Sequence, residues 1–251
     1  MGGSLVRQSL QGNTKSMTPD TLAQIQKHAA AEFPRECCGA VLVLKGKEVY
    51  RACRNVSSGT EQFSIHPEDY AAAEDEGDVV AIVHSHPNGA PIPSQADLVG
   101  CEASGLPWMI IGWPTGEICE FTPTGYTAPL IGRVFSYGIL DCYSLICDYY
   151  QQELKIVLPD CERAAGWEHT EQDLYRDNFK KAGFLPITVD ELRPHDAILM
   201  QISAQKTNHG AIYLGDGKIL HHPLNRLSGR DVFGGFWLKH STMFLRHEAL
   251  Q

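Results

Sequence analysis

The chain has 251 residues, 43% of them hydrophobic, which is long for one ordinary α/β domain and ample for two packed cores. Its 30 Asp and Glu against 21 Lys and Arg give a formal net charge of −9, which argues against nucleic acid as a partner, since phosphate backbones select clustered Lys and Arg. No run of about 18 apolar residues occurs, so no membrane span is expected.

Residues 1–16 are polar and Gly-rich and lack the apolar core of a secretory signal, so they read as a flexible leader, with Met17 a second candidate start. Without such a signal the eight cysteines are expected as free thiols, and none forms a CxxC pair. Thr18-Pro19 opens a helix whose inner face carries Leu22, Ile25, Ala29 and Phe33. A hairpin follows, with strands over 39–44 and 48–53 and a Lys45-Gly46 turn. Next come a short helix over 66–75, an apolar strand over 79–84, a helix over 94–103 and strands over 108–112 and 116–121. Pro, Thr and Gly then break all periodicity over 122–129, which marks a linker between domains at 17–121 and 130–251.

The second half opens with a helix over 141–153 that turns Leu145, Ile146, Tyr149 and Tyr150 inward. Another helix is expected over 170–182, ending at Gly183, and strands over 196–202, 209–214, 218–222 and 243–246. Both halves are therefore expected to be α+β domains.

His84-Ser-His86 ends the apolar strand, and Ser94-Gln-Ala-Asp97 opens the next helix. Histidines two apart on a strand point to one side, so His84 and His86 can meet one ion. Asp97, one turn into the helix, can face back toward them. Two His and one Asp leave a position open for water, as catalytic zinc requires. Taken alone, Ser94 to Asp97 is also an ordinary helix-capping pattern. This spacing resembles that of the JAMM/MPN zinc isopeptidases over residues 17–121. The resemblance implies a β-sheet with flanking helices and zinc on His84, His86 and Asp97. It also implies Glu36, in Arg35-Glu36-Cys37-Cys38-Gly39, as general base and acid, and Ser94 as an oxyanion donor.

Asp141-Cys142 starts a helix, where the dipole and the free N–H groups favour a thiolate. The strand His209-Gly-Ala-Ile-Tyr-Leu turns at Gly215-Asp-Gly217 and returns through His221-His222. A two-residue turn would set His222 on the face of His209, a three-residue loop His221. A Cys on a helix facing a His on a sheet is the papain-like arrangement. The segment resembles the NlpC-type peptidoglycan peptidases, a helix plus a small antiparallel sheet. It departs from them in Tyr143-Ser144 after the Asp-Cys, where that family usually has Ser-Gly. The resemblance implies Cys142 as nucleophile and His209 as its base. It implies His221, twelve residues after His209, as the orienting residue.

The two domains in one short chain resemble the tail tip assembly factors of lambda-like siphophages. The stretches Leu130–Phe135, Gly138–Cys142, Asn208–Tyr213 and Gly234–Trp237 carry this further. The resemblance implies phage tail tip proteins as partners and peptidoglycan peptides as possible substrates. It implies action in the host cytoplasm during phage assembly, or at the tail tip of the virion. An assembly factor whose peptidase folds serve as binding modules is the alternative reading.

Overall fold

The computed structural model describes residues 8–9, 17–57, 59–60, 62–161, 163, 166–167 and 173–251. The chain separates into two compact units, residues 1–127 and 128–251. The leader expected over 1–16 lies outside the described residues except at β1 (Gln8–Ser9), which pairs in parallel with β6 (Ile118–Phe121).

In the first unit, Thr18 caps α1 (Pro19–Glu32) by accepting from the Thr21 N–H at 3.2 Å, and Ile25 and Ala29 are buried. Phe33 is 44% exposed, because α1 ends before it and the chain turns away. β2 (Cys38–Leu44) and β3 (Lys47–Cys53) form the hairpin, with Lys45 and Gly46 both at positive φ, as a tight two-residue turn requires. α2 (Pro67–Glu76) leads into β4 (Asp78–Pro87) and α3 (Gln95–Ser104), followed by β5 (Trp108–Trp113) and β6. The sheet order is β1-β6-β5-β4-β2-β3, with β4 parallel to β5 and antiparallel to β2. Strand alternation gives it two apolar faces. Val41, Val83, Met109 and Ile111 pack with Ile25 and Ala29, whereas Ala40, Leu42, Ile82 and Ile110 pack with Ala73 of α2 and Cys101 of α3. This is the JAMM/MPN-like sheet with flanking helices.

The segment read as a linker is tied down at both ends. The Thr124 and Tyr126 N–H groups donate to the Glu102 carboxylate at 2.6 and 2.9 Å, and buried Arg133 donates to the carbonyls of Ala128 and Pro129.

In the second unit, α4 (Cys142–Tyr149) ends earlier than the expected helix and widens into a π turn, Tyr150–Leu154, closed by Lys155 at positive φ. The Tyr149 and Tyr150 hydroxyls both reach His195, at 2.7 and 2.6 Å, which fixes this end of the helix. α5 (Leu174–Asn178) is much shorter than the helix expected over 170–182. Asp173 caps it, and residues 170–172 lie outside the described residues. β7 (Phe184–Ile187), β8 (Ala197–Met200), β9 (His209–Gly215), β10 (Lys218–His221), β11 (Gly229–Val232) and β12 (Ser241–His247) form an antiparallel sheet in the order β11-β10-β9-β8-β12-β7. α6 (Gly235–His240) precedes β12. Leu145, Ile146, Tyr149 and Tyr150 pack against Ala197, Leu199, Ile212, Leu220 and Leu245, so α4 lies on one face of the sheet. Ile198, Met200, Ala211 and Ile219 belong to the other face. Helix first and antiparallel sheet afterwards is the NlpC-type order.

Candidate functional site

β4 runs past His84 to Pro87, so both histidines stand on the strand. Their Nε2 atoms are 3.2 Å apart, and Asp97 Oδ1 lies 3.2 Å from that of His84 and Oδ2 3.6 Å from that of His86. One donor atom from each residue falls within 4.8 Å of the others, a span one metal ion can bridge. The chemistry of the donors fits such an ion. His86 Nδ1 lies 3.0 Å from the Ala90 carbonyl, which can only accept, so Nδ1 carries the proton and Nε2 presents a lone pair. His84 lacks an equivalent outer bond: its Nδ1 is buried without a partner among the described residues, and its ring is held by stacking on Phe63 at 4.4 Å and by the edge of Trp108 at 5.6 Å.

Asp97 serves two purposes. Burial opposes its charge, but the His84 and His86 rings beside it outweigh this and hold its carboxyl well below the usual carboxylate range. The same side chain accepts from the Ser94 N–H at 2.7 Å, while Ser94 Oγ accepts from the Asp97 N–H at 3.1 Å. This capping box aims the carboxylate at the histidines, so the cap is compatible with a ligand role for Asp97. Ser94 uses a lone pair in the cap and keeps its hydroxyl proton for another partner.

Glu36 is 5% exposed and sits two residues before Cys38, which pairs with His84 across β2 and β4. The Cys37 N–H donates to Ser85 Oγ at 2.8 Å, and the Ser85 N–H donates to the Cys37 carbonyl at 3.1 Å. Glu36 is thereby held at the histidine end of the sheet, where its charge acts on His86.

In the second unit, Asp141 caps α4 by accepting from the Tyr143 and Ser144 N–H groups at 3.0 and 2.8 Å. Its other oxygen takes the Arg163 Nε–H at 2.8 Å. Cys142, at the first helical position, is 6% exposed. Its sulfur lies 3.0 Å from the Tyr175 hydroxyl and also meets the Gly210 backbone, and no hydrogen bond joins it to His209. The helix start does not make a resting thiolate: burial, then the nearby Asp141 carboxylate, push the Cys142 thiol up to about 11. Burial and the neighbouring His221 and His222 push His209 down to about 3, so thiol and imidazole are both neutral at rest.

His209 Nε2 lies 3.0 Å from His221 Nδ1, and His221 Nε2 lies 3.1 Å from Asp231 Oδ2, which also accepts from Arg226 at 3.2 Å. The carboxylate can only accept, so His221 protonates Nε2 and accepts at Nδ1. His209 must then donate through Nε2, leaving Nδ1 as the basic nitrogen. The turn is two residues, but a bulge between Lys218 and Ile219 shifts the register. His221 therefore pairs with Ala211 and shares the face of His209. His222 is turned away, fully buried against Phe135 at 5.1 Å. Trp237 stands edge-on to His221 at 4.3 Å.

Tyr175, Arg163 and Asp231 escaped the sequence reading. Asp231 is legible in hindsight from the β10–β11 hairpin, whose Ile219–Asp231 pairing puts it on the His221 face. Arg163 reaches the site through a segment with no periodic pattern, and Tyr175 from the short helix α5.

Two peptidase-like folds are thus defined, one with a His-His-Asp triad that could hold a metal and one with a cysteine beside a histidine relay. Residues 18–123 match the family described as prokaryotic homologs of the JAB domain, and residues 132–246 match the NlpC/P60 family. The chain is 41% identical to tail tip assembly protein K of Escherichia phage N15 over 94% of its own length and 97% of that protein. It is 37% identical to tail tip assembly protein K of Escherichia phage lambda, over 74% of this chain and 90% of that one. Among solved structures, a JAB1/MPN domain protein from Archaeoglobus fulgidus aligns at 20% identity and a TM-score of 0.26, over 41% of this chain and 94% of that one. The chain belongs to the tail tip assembly protein K family.

Proposed function

We propose that this protein works in phage tail tip assembly as a peptide hydrolase with two sites, a zinc-dependent isopeptidase-type site and a Cys-His peptidase site. The observation that carries the reading is that each unit gathers a full set of reactive groups of its own kind. His84, His86 and Asp97 would hold zinc, which when bound supplies Lewis acidity and an acidified water. Glu36 would move the proton from that water to the leaving amine, and the Ser94 hydroxyl would donate to the developing oxyanion. In the second unit, His209 Nδ1 takes the proton of Cys142, the sulfur attacks the carbonyl carbon, and the amine leaves with the proton from His209. Asp141 occupies the next two N–H groups of α4, which leaves the Cys142 N–H without a partner among the described residues and able to meet the oxyanion. Water then frees the acyl group.

The substrates proposed are tail tip proteins and peptidoglycan peptides, with action in the host cytoplasm during assembly or at the virion tail tip. Among the described residues, no helix is long and apolar enough to cross a membrane. Purified protein incubated with zinc, tail tip proteins and peptidoglycan should yield new peptide termini by mass spectrometry. E36Q should remove one set and keep zinc bound, whereas H84A/H86A should lose both that set and the zinc. C142A should remove the other set. Products unchanged in all the variants would overturn the reading.

A further inference from the structure

In a site this enclosed, water cannot solvate a charged sulfur, so whatever stabilises the charge must be built into the protein. Ionising Cys142 moves its proton to His209 and leaves an electron pair on sulfur. Fixed donors, together with the nearby Arg163 charge, must then compensate for burial. Two point at the sulfur, the Gly210 backbone and the Tyr175 hydroxyl at 3.0 Å. Against a neutral thiol either partner of the second bond can donate; against a thiolate only the hydroxyl can.

The surroundings hold that hydroxyl in place. The Tyr175 ring is buried and packs edge-on against Tyr143 and Trp167, each at 5.9 Å. Burial raises its own ionisation well above the usual range, so it stays a donor at any working pH. Gly210, directly after the base histidine, makes room for it: a Cβ there would stand 3.3 Å from the Tyr175 hydroxyl and 2.7 Å from Ile146 Cδ1. The glycine has a negative φ, so it is the space and not the backbone angle that calls for it.

We propose that Tyr175 is a positioning residue of the cysteine site, whose hydroxyl donates to the Cys142 sulfur and stabilises the thiolate once His209 holds the proton. This rests on the reading of Cys142 as nucleophile. It assigns the stabilisation of charge to a residue 33 positions after the cysteine, outside both the helix and the histidine hairpin.

The test is the pH profile of Cys142 alkylation by iodoacetamide in the full-length protein, followed by peptide mapping, for wild type, Y175F and G210A. A hydrogen bond to an ionised group is worth enough to shift the midpoint by about one pH unit. Y175F should therefore move the profile up by about that much and slow labelling at pH 7 about tenfold, with the thermal midpoint little changed. G210A, which crowds the hydroxyl while keeping it, should shift the profile the same way and stands in if Y175F does not fold. A Y175F profile that overlies wild type, or one moved to lower pH as release of a restraint would give, overturns the proposal; for G210A in its place the same two outcomes do so. Failure of the nucleophile reading looks different: C142A would then cleave as well as wild type, whatever Tyr175 does to the thiol.

Discussion

Each bond in the relay from Asp231 to His209 fixes the place of one proton. The Asp231 carboxylate sets the tautomer of His221, which in turn leaves Nδ1 of His209 basic. In D231N an amide N–H can donate to His221 Nε2 and reverse the order. The expected result is a kcat for the cysteine activity about tenfold lower with KM unchanged, because no bound substrate group is lost. A raised KM at unchanged kcat would place Asp231 in substrate binding instead. His222 supports a second prediction. Burial pushes its imidazole down to about 4, so between the unfolded value near 6.5 and about 4 the unfolded chain binds a proton that the native chain does not. Stability is therefore lost as pH falls through that window. H222Q should flatten the decline of the thermal midpoint between pH 6.5 and 4; an unchanged slope would mean that His222 titrates alike in both states.

At the scale of elements, the start of α3 combines a helix cap with a proposed catalytic hydroxyl, and substitutions can separate the two. S94A should destabilise by about 1 kcal/mol through the lost cap, whereas S94G should cost only a few tenths. Both should lose the metal-dependent activity if the hydroxyl serves the oxyanion. Urea unfolding together with peptide release measures this, and full activity in S94G would confine Ser94 to capping. The legibility of elements followed how completely they are buried. The central strands and α1 carry the apolar patterns of their packing and stood out. The strands missed in the second unit, β7 and β11, are the two edges of its sheet. β7 contains Pro186, and β11 reads Gly-Arg-Asp-Val, because an edge strand has one open row of backbone groups and tolerates Pro and charge. The helix over 141–153 was overextended because a π turn keeps its apolar residues buried without helical spacing. At the sites, His84, His86, Asp97, His209 and His221 were legible because chain neighbours or a hairpin bring them together. Arg163 arrives from irregular chain, which has no period to read, and Tyr175 from α5, whose five residues are too few to show a face.

At the scale of the whole molecule, each unit closes its own core and holds its own cluster of candidate reactive groups, one proposed for metal-assisted hydrolysis and the other for thiol chemistry. Separable losses are therefore expected, with Glu36 serving only the first site and Cys142 only the second. The most direct test is complementation of a phage lacking this gene with wild type, E36Q or C142A, counting infectious particles and verifying equal protein levels. Wild type should restore the yield, and each variant should fall well short of it. Normal yields with both variants would contradict a catalytic role for either site, and the folds would then act in tail assembly as binding modules.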